Sequence, residues 1–188
     1  PMTALEVLGT PLLLTDYRGL DDQCRQWARA GACVALDFAN TQIVTMRRHE
    51  PWFRDLTSAY DGFPPDGMPL LWCLRLAGAR LRDRVYGPTF MRQFLAAVPP
   101  EFTHYLIGGS EACGTLLRDV FSEVNPGIRF VGAFHGICQP DGRMEGDADE
   151  AVIEEINRLS PDFIWVGVGT PKQQAWVKRY KPRLRRGV

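Results

Sequence analysis

The 188-residue sequence has no surplus of charge. Its 22 Lys and Arg are matched by 22 Asp and Glu, so nothing global marks it as a nucleic-acid binder. Cysteine is sparse and scattered: Cys24, Cys33, Cys73, Cys113 and Cys138 are odd in number and never form a C-x-x-C pair. That pattern fits neither a disulfide framework nor a zinc site, and a reducing compartment is expected. The histidines, His49, His104 and His135, stand far apart with no H-E-x-x-H pattern, so no protein-held metal and no cofactor are expected. No apolar run is long enough to span a bilayer, and any encounter with a membrane is expected to come from the side. The G-x-G-x-x-G fingerprint, the Lys-Ser/Thr of a P-loop, internal repeats and low-complexity tracts are also missing.

What is present is enough apolar sequence, 45% against 23% charged residues, to bury a core in one soluble domain. "LDDQCRQWARAG" (20–31) has the acidic start and glycine stop of a helix, and "ACVALDFA" (32–39) has the length and apolar content of a strand. "TQIVTMRRH" is readable as a helix, "PWFRDLTSAY" is ambiguous, and "PLLWCLRLAG" (69–78) opens on an N1-type proline and closes on glycine. From residue 88 onward the alternation is regular. Helices in "PTFMRQFLAAV", "EACGTLLRDVFSEV", "DADEAVIEEINRLS" and "PKQQAWVKRY" alternate with strands in "THYLIGG", "IRFVGAF" and "DFIWVGVG". This rhythm predicts an α/β fold with a Rossmann-like, mostly parallel sheet flanked by helices, its strands apolar because both faces are covered. Ligands of such sheets bind outside the carboxyl ends of the strands, so "GGSEACG", "GAFHG" and "GVGTPKQQ" are expected around a common site.

Three stretches offer chemistry. Gly108 and Gly109 follow a strand, and Ser110 stands where it would cap the next helix, a place suited to a phosphate. Gly167 and Gly169 clear space at another strand end, with Thr170 expected to cap the helix that carries Lys172 and Gln173. Each is equally consistent with a plain turn, and the pair together favours a nucleotide-sugar or phosphate crevice. In "LRDRVYGPTF", Arg84 is either a diphosphate clamp or a surface arginine beside Asp83. In "FPPDGMPLLW" (63–72), Asp66 sits between two prolines and a glycine. Pro-Asp-Gly is a common surface turn, but a turn this stiff also preorganises a carboxylate. The six cations of "VKRYKPRLRRG" (Lys178, Arg179, Lys181, Arg183, Arg185, Arg186) suit an anionic surface, or a solvated terminus.

Taken together, "NTQIVT", "PPDGMPLLW", "RLRDRVYGPTF", "YLIGGSEACG", "NPGIRFVGAFHG" and "INRLSPDFIWVGVGTPKQQAWV" resemble, in unbroken order over residues 32–177, the WecG/TagA/CpsF family of bacterial glycosyltransferases. The resemblance implies a GT-E type fold and an inverting, metal-independent transfer of a sugar from a UDP-sugar donor to a polyprenyl-diphosphate-linked glycan acceptor. It implies Asp66 as general base and Arg84 as the stabiliser of departing UDP. Asn40, Thr41, Gly108, Gly109, Gly167, Gly169, Lys172 and Gln173 are implied as substrate-binding residues. It also implies a domain over 1–177 and, in 178–188, the start of a truncated membrane-docking tail, on a cytoplasmic protein peripheral to the inner face of the plasma membrane. No nucleic acid is expected as a partner, and the oligomeric state is left open. Two positions depart from the family pattern. Phe38-Ala39-Asn40 lacks the threonine of T-x-N, and Gln174 replaces the usual glutamate, so an N-acetylmannosamine-type donor and another hexosyl donor both stay open. The competing readings are a non-catalytic nucleotide-sugar-binding protein and a Rossmann-type oxidoreductase or epimerase. The absent G-x-G-x-x-G and the lack of a tyrosine-lysine dyad count against the second.

Overall fold

The computed structural model describes residues 2–188. The chain divides into two compact units, the first running to Arg25 and resuming at Ala35–Gln93, the second comprising Gln26–Val34 and Phe94–Val188.

The first unit opens with an antiparallel hairpin, β1 (Ala4–Val7) and β2 (Thr10–Leu13), turned at Leu8 and Gly9, both with positive φ. Helix α1 (Tyr17–Arg29) follows and runs on into the second unit's stretch. It begins three residues earlier than the sequence pattern placed it, because Asp16 Oδ1 accepts the Gly19 N–H (2.8 Å) and caps the first turn. The stretch expected as a strand over 32–39 is not continuous. Within the first unit it makes only isolated parallel bridges, Leu36 with Gly62 and Ala39 with Pro65. Its neighbour carries Pro64 and Pro65, which have no N–H to complete a ladder. Helices α2 (Thr41–His49), α3 (Pro51–Leu56) and α4 (Met68–Leu76) pack Ile43, Val44, Phe53, Leu70 and Leu74 with Leu12, Ala39 and Phe63 into one core. One cation is built into this core. Arg47 is buried, donates Nε–H to Thr10 Oγ1 (3.0 Å), bonds Thr57 Oγ1, and lies 4.4 Å from the centroid of the Phe63 ring. α5 (Gly87–Ala97) leaves the unit at its C-terminal end.

The second unit holds a three-stranded parallel sheet in the order β4-β3-β5, with β3 (Thr103–Ile107), β4 (Arg129–Phe134) and β5 (Phe163–Val166). Helices α6 (Glu111–Val124), α7 (Asp149–Leu159) and α8 (Lys172–Tyr180) connect or follow the strands as the alternation requires. Burial is most complete in the middle of the sheet, with Phe163 of β5 buried beside it. His104 through Ile107 of β3 are buried, whereas β4 is only half-buried along its length.

The residues after α8 extend this unit. Val188 N–H donates to Asp162 O and its carbonyl accepts from Ile164 N–H, while Gly187 exchanges bonds with Ala32 and Val34. Residues 178–180 complete α8. Of the terminal cations, Arg179 pairs with Asp141, Arg183 with Glu150 and Arg186 with Asp162.

His104 sets a pH dependence for the fold. It is 0% exposed, stacks on Phe163 with ring centroids 5.4 Å apart, and accepts the Trp165 Nε1–H at Nδ1 (3.2 Å). Burial pushes its pKa down from 6.5 to about 4. The fold accommodates the neutral ring, so this contribution is complete above pH 6.5 and is lost as pH falls through about 4. A depression of that size corresponds to roughly 3 kcal/mol. Urea unfolding at neutral pH and near pH 4 is expected to show that loss, and His104→Gln is expected to flatten the slope between those conditions. An unchanged slope in the variant would assign the acid sensitivity elsewhere.

Candidate functional site

In the first unit, the turn that carries Asp66 is fixed on several sides. Pro64, Pro65 and Gly67 are buried, the Asp66 N–H donates to Ala39 O (2.9 Å), and Val85 N–H donates to Pro65 O (2.8 Å). The half-buried carboxylate accepts the Gly87 N–H at Oδ2 (3.0 Å). Burial raises the Asp66 pKa above the ordinary 3.8, opposed by the Gly87 hydrogen bond and by the charge of Arg84. The result is a carboxylate with one oxygen anchored and its basicity increased.

Arg84 is half-buried, with its guanidinium carbon 4.9 Å from the centroid of the Tyr86 ring, while its backbone N–H donates to Asp83 Oδ1 (2.8 Å). Asn40 caps α2, its Oδ1 accepting the Ile43 N–H (3.0 Å), and Thr41 is the first residue of that helix and exposed. With Oδ1 committed to the cap, Asn40 has its amide N–H groups to offer a ligand. A Cβ added at Gly67 would lie 3.7 Å from Asn40 Cα and from Thr41 N, so the Asp66 turn and the start of α2 are neighbours. The structure thus brings Asn40, Thr41, Asp66 and Arg84 together in one unit.

Two contributors here escaped the sequence reading. Tyr17 Oη accepts the Tyr86 N–H (3.0 Å), and the Phe38 ring packs on Gly87 and on Phe90. Tyr17 lies far from the turn in sequence, and no local pattern marks it.

In the second unit, the strand order places β3 between β4 and β5, the reversal point at which open α/β sheets bind ligands beyond their carboxyl ends. Gly108 (φ +102) follows β3 and Gly167 follows β5. A Cβ on Gly108 would stand 2.5 Å from the Gly167 carbonyl oxygen. Gly109 (φ +73) leads to Ser110, which caps α6 as expected by accepting the Cys113 N–H (3.2 Å). Thr170 does not cap α8. Pro171 takes that position, and the Gln173 N–H is satisfied by the Gly169 carbonyl (2.9 Å), so the first turn has a backbone partner without a threonine side chain. Lys172 and Gln173 are half-buried on this turn. At the end of β4, the His135 ring packs against Gly114 of α6 and both its nitrogens are buried with no hydrogen-bond partner among the described residues. Gly108, Gly109, Gly167, Gly169, Lys172 and Gln173 therefore gather at one end of the parallel sheet.

A family model for the glycosyl transferase WecG/TagA/CpsF family matches residues 5–188. The chain belongs to that family. Two relatives carry the same description, N-acetylglucosaminyldiphosphoundecaprenol N-acetyl-beta-D-mannosaminyltransferase. The protein from Bacillus subtilis (strain 168) is 23% identical over 156 residues, covering 81% of this chain and 56% of its own length. The protein from Staphylococcus aureus (strain MRSA252) is 24% identical over 144 residues, covering 76% and 54%. The chain thus spans about half the length of the curated relatives it matches. Family membership and the α/β fold agree with the resemblance carried by the motifs. Among the described residues no group of three or more His, Cys, Asp or Glu is placed to hold a metal, and no helix is long and apolar enough to cross a membrane.

Proposed function

We propose that this chain carries the catalytic portion of an inverting, metal-independent glycosyltransferase. It moves a sugar of the N-acetylmannosamine type, or a related hexose, from a UDP donor to a polyprenyl-diphosphate-linked glycan used in cell-surface polysaccharide synthesis. The observation that carries this reading is the Asp66 carboxylate. It is held in a proline-walled turn, anchored through Oδ2 to the Gly87 N–H, and raised in pKa by burial.

In this reading Asp66 Oδ1 takes the proton of the acceptor hydroxyl as that oxygen attacks the anomeric carbon. The bond from the anomeric carbon to the UDP oxygen breaks with its electron pair, and UDP departs. One displacement inverts the anomeric centre without a covalent sugar-enzyme species. Arg84 offsets charge growing on the diphosphate. Within the second unit, the glycine turns after β3 and β5, with Lys172 and Gln173, offer backbone and side-chain contacts of the kind a sugar nucleotide uses.

The reading is tested by titration calorimetry of UDP and UDP-N-acetylmannosamine with EDTA present throughout. Saturable binding that survives the chelator is expected, with Arg84→Ala weakening UDP about tenfold through loss of a charge-assisted contact. Binding that appears only with added divalent cation would overturn the metal-independent mechanism.

A further inference from the structure

Helix α4, MPLLWCLRL, carries a single charged residue, Arg75, and is apolar on both faces. Leu70, Leu71 and Leu74 are buried in the first unit. Pro69, Trp72, Cys73 and Leu76, at positions i, i+3, i+4 and i+7, form a second stripe in solvent, with Trp72 56% and Leu76 90% exposed. A helix that is hydrophobic all round is ordinarily covered on every side. Here one side is covered by protein and the other is open.

The surroundings of the open stripe are cationic. α4 closes in a Schellman turn, with the Gly78 N–H on Arg75 O, the Ala79 N–H on Leu74 O, and Gly78 in the left-handed C′ position (φ +95). Arg75 then reaches forward, donating Nε–H to Leu81 O (2.9 Å) and Nη2–H to Arg82 O. This folds the "GARLRDR" loop back on the helix end. Arg80 and Arg82 are exposed there, and neither has an ion-pair partner among the described residues. Over residues 75–84 there are four arginines and one aspartate. Tryptophan and leucine in solvent beside unpaired arginines match the interface of an anionic bilayer, where the ring sits at headgroup level and the cations meet lipid phosphates.

We infer that the exposed stripe of α4, with Arg80 and Arg82, is the surface by which this protein rests on an anionic phospholipid bilayer. Asp66 lies two residues before the first residue of α4, so seating this helix on lipid sets the base beside a hydroxyl presented from the bilayer. This rests on the function proposed above, and it places membrane contact on α4 instead of the basic C-terminal stretch, where Arg179, Arg183 and Arg186 are already paired with acids. The other exposed apolar stripe, Leu116, Val120 and Val124 on α6, has no comparable run of unpaired arginines, which makes it the natural control.

The test is co-sedimentation of the whole chain with vesicles of equimolar phosphatidylglycerol and phosphatidylcholine, against vesicles of phosphatidylcholine alone. The parent is expected to bind the anionic vesicles. Trp72→Gln/Leu76→Gln is expected to lower the partition at least about tenfold. Arg80→Gln/Arg82→Gln is expected to lower it about fivefold per arginine and to shrink the preference for anionic lipid. Leu116→Gln/Val120→Gln should bind as the parent does. Melting temperatures check that each variant is folded. The α4 variant should keep UDP binding and transfer to a water-soluble short-chain prenyl diphosphate acceptor, and lose transfer to the same acceptor embedded in vesicles. Failure of the parent to bind anionic vesicles, or parental binding by the α4 variant, would overturn the inference. So would binding abolished instead by Lys178→Gln/Arg185→Gln, or a parent that sizes as a dimer while the α4 variant sizes as a monomer. A parent that binds vesicles through α4 but never binds UDP would leave this inference standing and refute the transferase reading.

Discussion

Replacing Asp66 with asparagine is expected to lower transfer by about 10²- to 10⁴-fold, the range a positioned general base contributes, with UDP affinity close to the parent's. The substitution keeps an oxygen to accept the Gly87 N–H, so the turn keeps its shape. Its effect on stability separates a functional carboxylate from a structural one. Burial raises the Asp66 pKa in the folded state, so the fold holds the protonated form more tightly than the unfolded chain does. Stability tied to this group is therefore greatest below the unfolded pKa and is lost as pH rises through the folded value. At neutral pH the ionised group works against folding, and the neutral asparagine should melt at or above the parental temperature. The same direction sets the pH profile: the acid limb of the transfer rate should have its midpoint above 3.8, the ordinary carboxylate value. An inactive variant that also melts well below the parent would make Asp66 a scaffold residue, and an unaltered rate would remove it as the base.

The second large effect is expected at Gly108. Its φ of +102 is one that residues with side chains rarely adopt, and an added Cβ would meet the Gly167 oxygen at 2.5 Å, its carbonyl carbon at 2.8 Å and Val168 Cγ1 at 2.7 Å. Two of those atoms are backbone on the adjoining turn and cannot swing aside. Gly108→Ala should therefore combine conformational strain with overpacking, at a cost of about 3 kcal/mol or more. For a chain of this size that is roughly 6 to 12 °C in melting temperature. Gly169→Ala is the matched comparison: φ is +85, but nothing lies within 4 Å of the added carbon, so only the conformational cost of about 1 kcal/mol applies. If Gly108→Ala melts with Gly169→Ala, the close approach of the turns after β3 and β5 is not what that glycine serves. In the folded fraction of Gly108→Ala, UDP binding should be lost, because relieving the clash moves the turns assigned to the nucleotide.

How much of this was legible before the structure varies along the chain. The second half was readable because each helix and strand has its own periodicity and punctuation: Ser110 caps α6 as its position foretold, and the apolar runs at 103–107 and 163–166 are strands. The first half was harder because its structure depends on partners far away in sequence. The stretch over 32–39 has the composition of a strand, but prolines in its neighbour leave it only bridges. The hairpin of β1 and β2 turns at Leu8-Gly9, without the Asn-Gly or Asp-Gly that normally announces such a turn. Thr170 looked like a cap and is not one, since the carbonyl of Gly169 reaches the Gln173 N–H first. The prolines around Asp66 drew notice to it and the family resemblance gave it a role, but its anchor on Gly87 and the Tyr17–Tyr86 bond are tertiary facts. The pattern of α4 was read correctly as a helix, and its exposed apolar side was hidden in plain view. "PLLWCLRL" is apolar at nearly every step, which does not say which side the protein covers.

The most direct test of the central claim is a transfer assay with labelled UDP-N-acetylmannosamine and a short-chain prenyl diphosphate bearing N-acetylglucosamine, run in EDTA, with product and released UDP both quantified. One UDP should appear for each sugar transferred, the new linkage should have the anomeric configuration opposite to the donor's, and Asp66→Asn should abolish both signals together. Retention of configuration, or UDP release without transferred sugar that persists in Asp66→Asn, would contradict it.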